Sequence, residues 1–294
     1  MVRRQNRFSE QQHSELIRLF MNRVGGADSK PELTILRLVK ALRASSRVKG
    51  NASGIESYFG QRLIKEVIYR SELDCDGFVK PLGGTYSAGF QIVINSRCRL
   101  TRFRFTLAHE LCHTFFYEIV PEIKFCHRLV DPQEERLCNI GAAELLMPVL
   151  AVKKAAKGLD ISLKSLDDLA NRFQVSAEAM ILRLRSAKLW NSIYSIWHPM
   201  SGGGFALHRT AGIRRLEWEW SEPHLLRYAW DTGRVVTGRT CLEFKDTHGS
   251  LKLQPVFFEL QRRGEALRAL LRHSSTQDLS PRLPLFGEKT ASVI

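Results

Sequence analysis

Residues 104–118 read RFTLAHELCHTFFYE, and within them His109, Glu110 and His113 form an HExxH pattern. On a helix, residues four apart share a face, so both imidazoles can reach one metal ion with Glu110 beside it. These are the parts of a zinc hydrolase: ring nitrogens ligate the metal, and the glutamate takes a proton from water. The surrounding run is apolar enough to be core, and a core accepts titratable side chains only when they are paired or metal-bound. A buried helix with two hydrogen-bonded histidines is the alternative that the motif alone leaves open.

A catalytic zinc needs a third protein ligand and a fourth, open position. The next helix supplies one. DPQEE at 131–135 reads as its start, with Asp131 as N-cap, Pro132 in the first position and Glu134 completing a capping-box-like spacing. That helix is expected to end at Pro148. Glu135, Cys138, Asn139, Ala142, Leu145 and Leu146 form one helical stripe, otherwise apolar or nearly so except for Asn139. A carboxylate on a buried stripe is costly unless paired or bound to metal. Glu134 is accounted for by the cap, and Glu144 falls on the opposite face, so Glu135 is the expected third ligand. Asn139, one turn on, either orients a ligand histidine through its second nitrogen or satisfies nearby backbone. Cys112 and Cys138 read as buried thiols rather than ligands.

The elements that must hold these residues follow from patterning. Residues 9–24 and 31–49 read as amphipathic helices, the first with Ser9 as a cap. Strand-like runs occupy 64–70 and 89–96, and the motif helix spans about 100–118. The 89–96 strand is either an edge on which an extended substrate pairs or an interior strand. Tyr86, Tyr117 and Arg104 are candidates for stabilising an oxyanion. Two short helices fill 161–190 around QVS, with Ser176 capping the second. All five tryptophans lie at or after position 190. Beyond it, SGGGF at 201–205 reads as a loop, 205–260 as short strands with turns at DTG and DTHG, and 262–273 as a helix. The tail from 280 is expected to be poorly ordered.

RFRFTLAHELCH, preceded by IVIN and followed by EERLCNIGAAELLMP, resembles the ImmA/IrrE family of zinc metallopeptidases. The likeness covers about residues 60–190, including LDDLANRFQVSAEAMILRL. Two positions depart from the family pattern: Cys112 stands where glycine is usual, and Gly141 where an aromatic is common. The resemblance implies an α+β fold: a zincin-like peptidase core over 1–150, a helix-turn-helix-like segment over 151–190, and a C-terminal α+β domain over 191–294, similar to a GAF sensor. It further implies a bacterial or phage-borne enzyme that cleaves a helix-turn-helix transcriptional repressor, relieving repression of stress or mobile-element genes. Zinc is then held by His109, His113 and Glu135, and Glu110 is the general base.

Composition sets the frame. The 294 residues allow about two domains, and 44% hydrophobic with 25% charged residues is ordinary for a globular chain. No apolar run is long enough for a membrane helix, and the N-terminal segment has no secretory pattern. Six cysteines without a CxxC pair fit reduced thiols in a cytoplasmic protein. The net charge of +14 predicts attraction to nucleic acid or an acidic partner. That supports a rival reading, a DNA-binding regulator. Residues 165–187 have helix-turn-helix spacing, with Arg183, Arg185 and Lys188 on or just after the second helix. A helical buttress with a solvated basic face is the plainer account of the same segment. Arginines 97, 99, 102 and 104, and Arg209, Arg214 and Arg215, read as surface clusters.

Overall fold

The computed structural model describes residues 14–25, 30–46, 54–124, 130–212, 223–245 and 251–273. Ser9, Arg214, Arg215, the DTHG turn and the tail from 280 lie outside the described residues. The chain divides into two compact units, Met1–Pro148 and Val149–Ile294.

The first unit opens with α1 (Glu15–Phe20), whose N-cap is Ser14: its hydroxyl accepts from the Ile17 N–H. One π-helical turn, Met21–Gly25, continues it. Helix α2 (Pro31–Ser45) begins with proline in the first position, where the missing N–H costs nothing. Three strands follow: β1 (Ile64–Arg70), β2 (Gly77–Pro81) and β3 (Phe90–Asn95), in the order β1-β3-β2. β3 runs parallel to β1 and antiparallel to β2, so the 89–96 strand is interior and not the edge. Its buried Phe90, Ile92, Val93 and Ile94 suit a strand covered on both faces. The edges are β1 and β2, and patterning missed β2 because five residues bounded by glycine and proline carry little period. Gly77 is needed there, since a Cβ would come within 2.7 Å of the Val93 carbonyl oxygen.

Helices α3 (Leu100–Ile119), α4 (Pro121–Lys124) and α5 (Pro132–Leu146) complete this unit. α3 packs on β2 and β3 and also on α5, which in turn packs on α2. Thr106 through Ala108 and Glu110 through Phe116 are buried, which explains the apolar run around the motif. Asp131 caps α5 by accepting from the N–H groups of Gln133 and Glu134. The two departures from the family pattern meet here. A Cβ on Gly141 of α5 would sit 2.7 Å from the Cys112 sulfur on α3, and 3.4 Å from Ile35 and Val39 of α2. Volume gained at 112 is volume given up at 141.

The second unit comprises α6 (Val149–Ala156), α7 (Leu163–Phe173), α8 (Ala177–Ser186), β4 (Ser192–Pro199), β5 (Phe205–Ala211), α9 (Pro223–Thr232), β6 (Val236–Lys245), β7 (Leu251–Arg263) and β8 (Ala266–His273). Its strands form an antiparallel sheet in the order β5-β4-β8-β7-β6. The helix expected over 262–273 is instead the β7–β8 turn and β8. Gly264 at φ 58° begins a two-residue hairpin between the paired Arg263 and Ala266, and β8 then lies between β4 and β7. Leu267 through Leu271 are all buried, so tertiary pairing overrides a composition rich in helix formers.

α7 and α8 flank a left-handed Gln174, and Ser176 caps α8. α8 packs on β4 and β5. Arg183 is buried, and Arg185 donates to the Asn191 side chain and the Ser192 carbonyl. Two of the three cations that the DNA-binding reading needs are therefore committed inside this unit. α7 is anchored likewise: the Leu163 N–H donates to Glu259, and Asp167 pairs with the buried Arg268.

Candidate metal centre

α3 and α5 place four predicted residues against one another. His109 Nε2 lies 3.1 Å from Glu135 Oε2 and 3.0 Å from His113 Nε2, and His113 Nε2 lies 3.3 Å from Glu135 Oε1. The fourth is Asn139, whose Oδ1 is 3.1 Å from His109 Nδ1. The ligand atoms of His109, His113 and Glu135 all fall within 4.8 Å of one another.

Proton bookkeeping shows what this arrangement fits. Asn139 Oδ1 can only accept, so His109 carries its proton on Nδ1 and turns the Nε2 lone pair inward. His113 Nδ1 faces Glu134 Oε1 at 2.6 Å, which fixes the same tautomer. Two lone pairs and a carboxylate then converge with no proton among them. Such a donor set repels itself unless a cation sits at its centre. Two imidazoles and one carboxylate suit a divalent metal with one position left open.

Glu110, which is buried, lies on the same cavity, as does Val79 of β2. Burial pushes the Glu110 carboxyl above the usual carboxylate range. Glu135 is held well below that range by the His109 and His113 imidazoles beside it. The cavity, about 550 Å³, is also lined by Phe78, Arg102, Tyr117, Lys124 and Val130. Of the three oxyanion candidates, Tyr117 lines it, whereas Tyr86 and Arg104 are not among its lining residues.

Glu134 is the residue that spacing misjudged. It does not close the cap; it is buried, bonded to His113 and to Lys124 Nζ at 2.8 and 2.9 Å. Its place one residue before Glu135 puts it on the next flank of α5, behind the ring of His113. The apolar neighbours Leu137 and Cys138 were the available signal that this flank is buried too. His113, Glu134 and Cys138 also bring three ligand atoms together. Lys124 already neutralises that glutamate, and burial pushes the Cys138 thiol up to about 11, which keeps it a poor ligand. Cys112 is buried as well, and its thiol is likewise raised by burial. Glu144 is buried but is not among the cavity's lining residues.

Comparison with known proteins agrees with this region. The family profile described as the IrrE N-terminal-like domain matches residues 71–185. Two proteins named radiation response metalloprotease IrrE are similar over 113 residues. The one from Deinococcus radiodurans is 31% identical over 37% of this chain and 34% of its own length. The one from Deinococcus deserti is 34% identical over 36% and 39%. The chain thus spans little more than a third of the length of the curated relatives it matches. Among solved structures, a Mycobacterium tuberculosis transcriptional regulator aligns at 13% identity and a TM-score of 0.47, over 87% of this chain and 79% of that one. Among the described residues no helix is long and apolar enough to cross a membrane.

Proposed function

With residues 71–185 belonging to the ImmA/IrrE family of metallopeptidases, we propose that the protein is a zinc-dependent endopeptidase acting on a helix-turn-helix transcriptional repressor. The observation that carries the reading is the convergence of His109 Nε2, His113 Nε2 and Glu135, with both second nitrogens already donating to Asn139 and Glu134. These three side chains are the metal ligands. When bound, zinc supplies a Lewis acid that polarises a carbonyl and makes water a nucleophile at neutral pH.

The chain's own residues do the rest. Glu110 is the general base: it takes the proton of the attacking water and hands it to the leaving amine. Its burial raises its basicity. β2 offers an open edge along the cavity, where an extended peptide can add as a further strand. Tyr117 stands on the cavity wall as the candidate that stabilises the oxyanion. The repressor substrate, and a role in stress or mobile-element genes, rest on the family likeness. The second unit, a five-stranded antiparallel sheet with helices against it, is the regulatory part in this reading, in the manner of a GAF-like sensor. Free thiols at Cys75, Cys98, Cys112 and Cys138 support a cytoplasmic setting.

The test is to incubate the purified protein, with and without chelator, with the repressor encoded beside its gene. Cleavage that chelation abolishes and added zinc restores is the expected result. An intact repressor at every zinc concentration would remove the peptidase assignment for that substrate.

A further inference from the structure

Glu134 has no task in the chemistry above, yet it is among the most buried charged side chains described, at 2% exposure. Burying a carboxylate and an ammonium together is expensive, and an apolar pair of similar size would often serve stability as well. The position of the pair shows what it does instead. Glu134 Oε1 accepts hydrogen bonds from His113 Nδ1 at 2.6 Å and from Lys124 Nζ at 2.8 Å, and Oε2 accepts a second bond from Lys124 at 2.9 Å. Lys124 Nζ in turn rests over the Tyr117 ring, 4.8 Å from its centre. Tyr117 stands one turn beyond His113 on α3. The lysine is therefore braced by the same helix whose histidine the glutamate holds.

The two histidines differ in this respect. His109 is backed by an amide, His113 by a carboxylate paired with Lys124. A carboxylate behind an imidazole fixes the ring's tautomer and raises the basicity of the opposite nitrogen, more strongly than an amide does. We infer that Glu134 and Lys124 are a positioning pair: the carboxylate orients His113 so that its Nε2 faces the metal, and the lysine, bonded to both carboxylate oxygens, holds that carboxylate in place. The inference rests on the zinc reading and concerns residues outside the ligand set.

The test uses the full chain and reads metal binding rather than activity. Zinc affinity is measured by competition with a chromophoric chelator for wild type, Glu134→Gln and the double variant Glu134→Gln/Lys124→Gln. Glutamine preserves size and an acceptor oxygen but removes the charge. The double variant leaves no unpaired lysine, so it carries the test if the single variant fails to fold. The expected loss is about 10- to 100-fold in zinc affinity for the folded variants. The visible band of the cobalt(II)-loaded protein should also shift, because the field of one histidine has changed. A purely structural pair predicts a lower melting temperature of the metal-free protein, with affinity within twofold of wild type and an unmoved cobalt band. That result overturns the inference while the metal site stands. A wild-type chain that cannot compete with the chelator at all would overturn the zinc reading, and this inference with it.

Discussion

Cys112 and Gly141 offer a test of packing that needs no knowledge of the substrate. Replacing Gly141 with alanine puts a methyl group 2.7 Å from the Cys112 sulfur, where ordinary contact needs about 3.5–4.0 Å. The same methyl would also meet Ile35 and Val39 of α2 at 3.4 Å, so turning it away from the sulfur presses it onto α2. Overpacking of this kind costs about 1–3 kcal/mol, set against about 1 kcal/mol that alanine gains over glycine in a helix. In a Cys112→Ala background the sulfur is gone, and only the helix gain remains. The two substitutions should therefore be coupled by about 1–3 kcal/mol, the double variant being more stable than the sum of the singles. Urea unfolding of wild type, both single variants and the double variant, followed by circular dichroism, measures the coupling. Additivity within about 0.5 kcal/mol would refute the reasoning and mean that α3 and α5 separate freely at this point.

Glu110→Gln should keep its metal and fold and lose proteolysis by about 10²-fold or more, since an amide accepts no proton; cleavage at near wild-type rate would remove it as the base. Elemental analysis of Glu135→Ala should find zinc retention much reduced, and full retention would turn attention to Glu134. Truncation should depend on where it falls. A chain ending at Pro148 keeps every proposed ligand and should bind zinc in the chelator assay. One ending at Trp190 strips β4 and β5 from α8, and Arg268 from Asp167, and should aggregate on gel filtration.

Sequence alone reached the motif helix because its period is strong and its two histidines lie on one turn. It also set Glu135 and Asn139 on the stripe that meets His109, since helical geometry over four residues leaves little freedom. Glu134 escaped for a physical reason. A glutamate three residues after an N-cap aspartate has a ready local explanation, and only the fold reveals the lysine and histidine that claim it. β2 escaped because an edge strand of five residues needs its neighbour to exist at all. ALRALLRH of β8 reads as helix because it has no alternation to betray a strand buried on both faces. Local periodicity reports one covered face well and two covered faces poorly.

Val79 on the β2 edge lines the same cavity as Glu110, and in the proposed peptidase this has a consequence for selectivity. A peptide laid along β2 is gauged against the base by main-chain spacing, which is the same for every sequence. The place of the cut is then measured as on a ruler, in steps of one residue pair. Choice among sequences must come from the cavity walls, where Phe78 and Val130 expose apolar surface and Arg102 and Asp76 oppose each other's charge. Changing those walls would alter which chains are accepted without moving the point at which an accepted chain is cut.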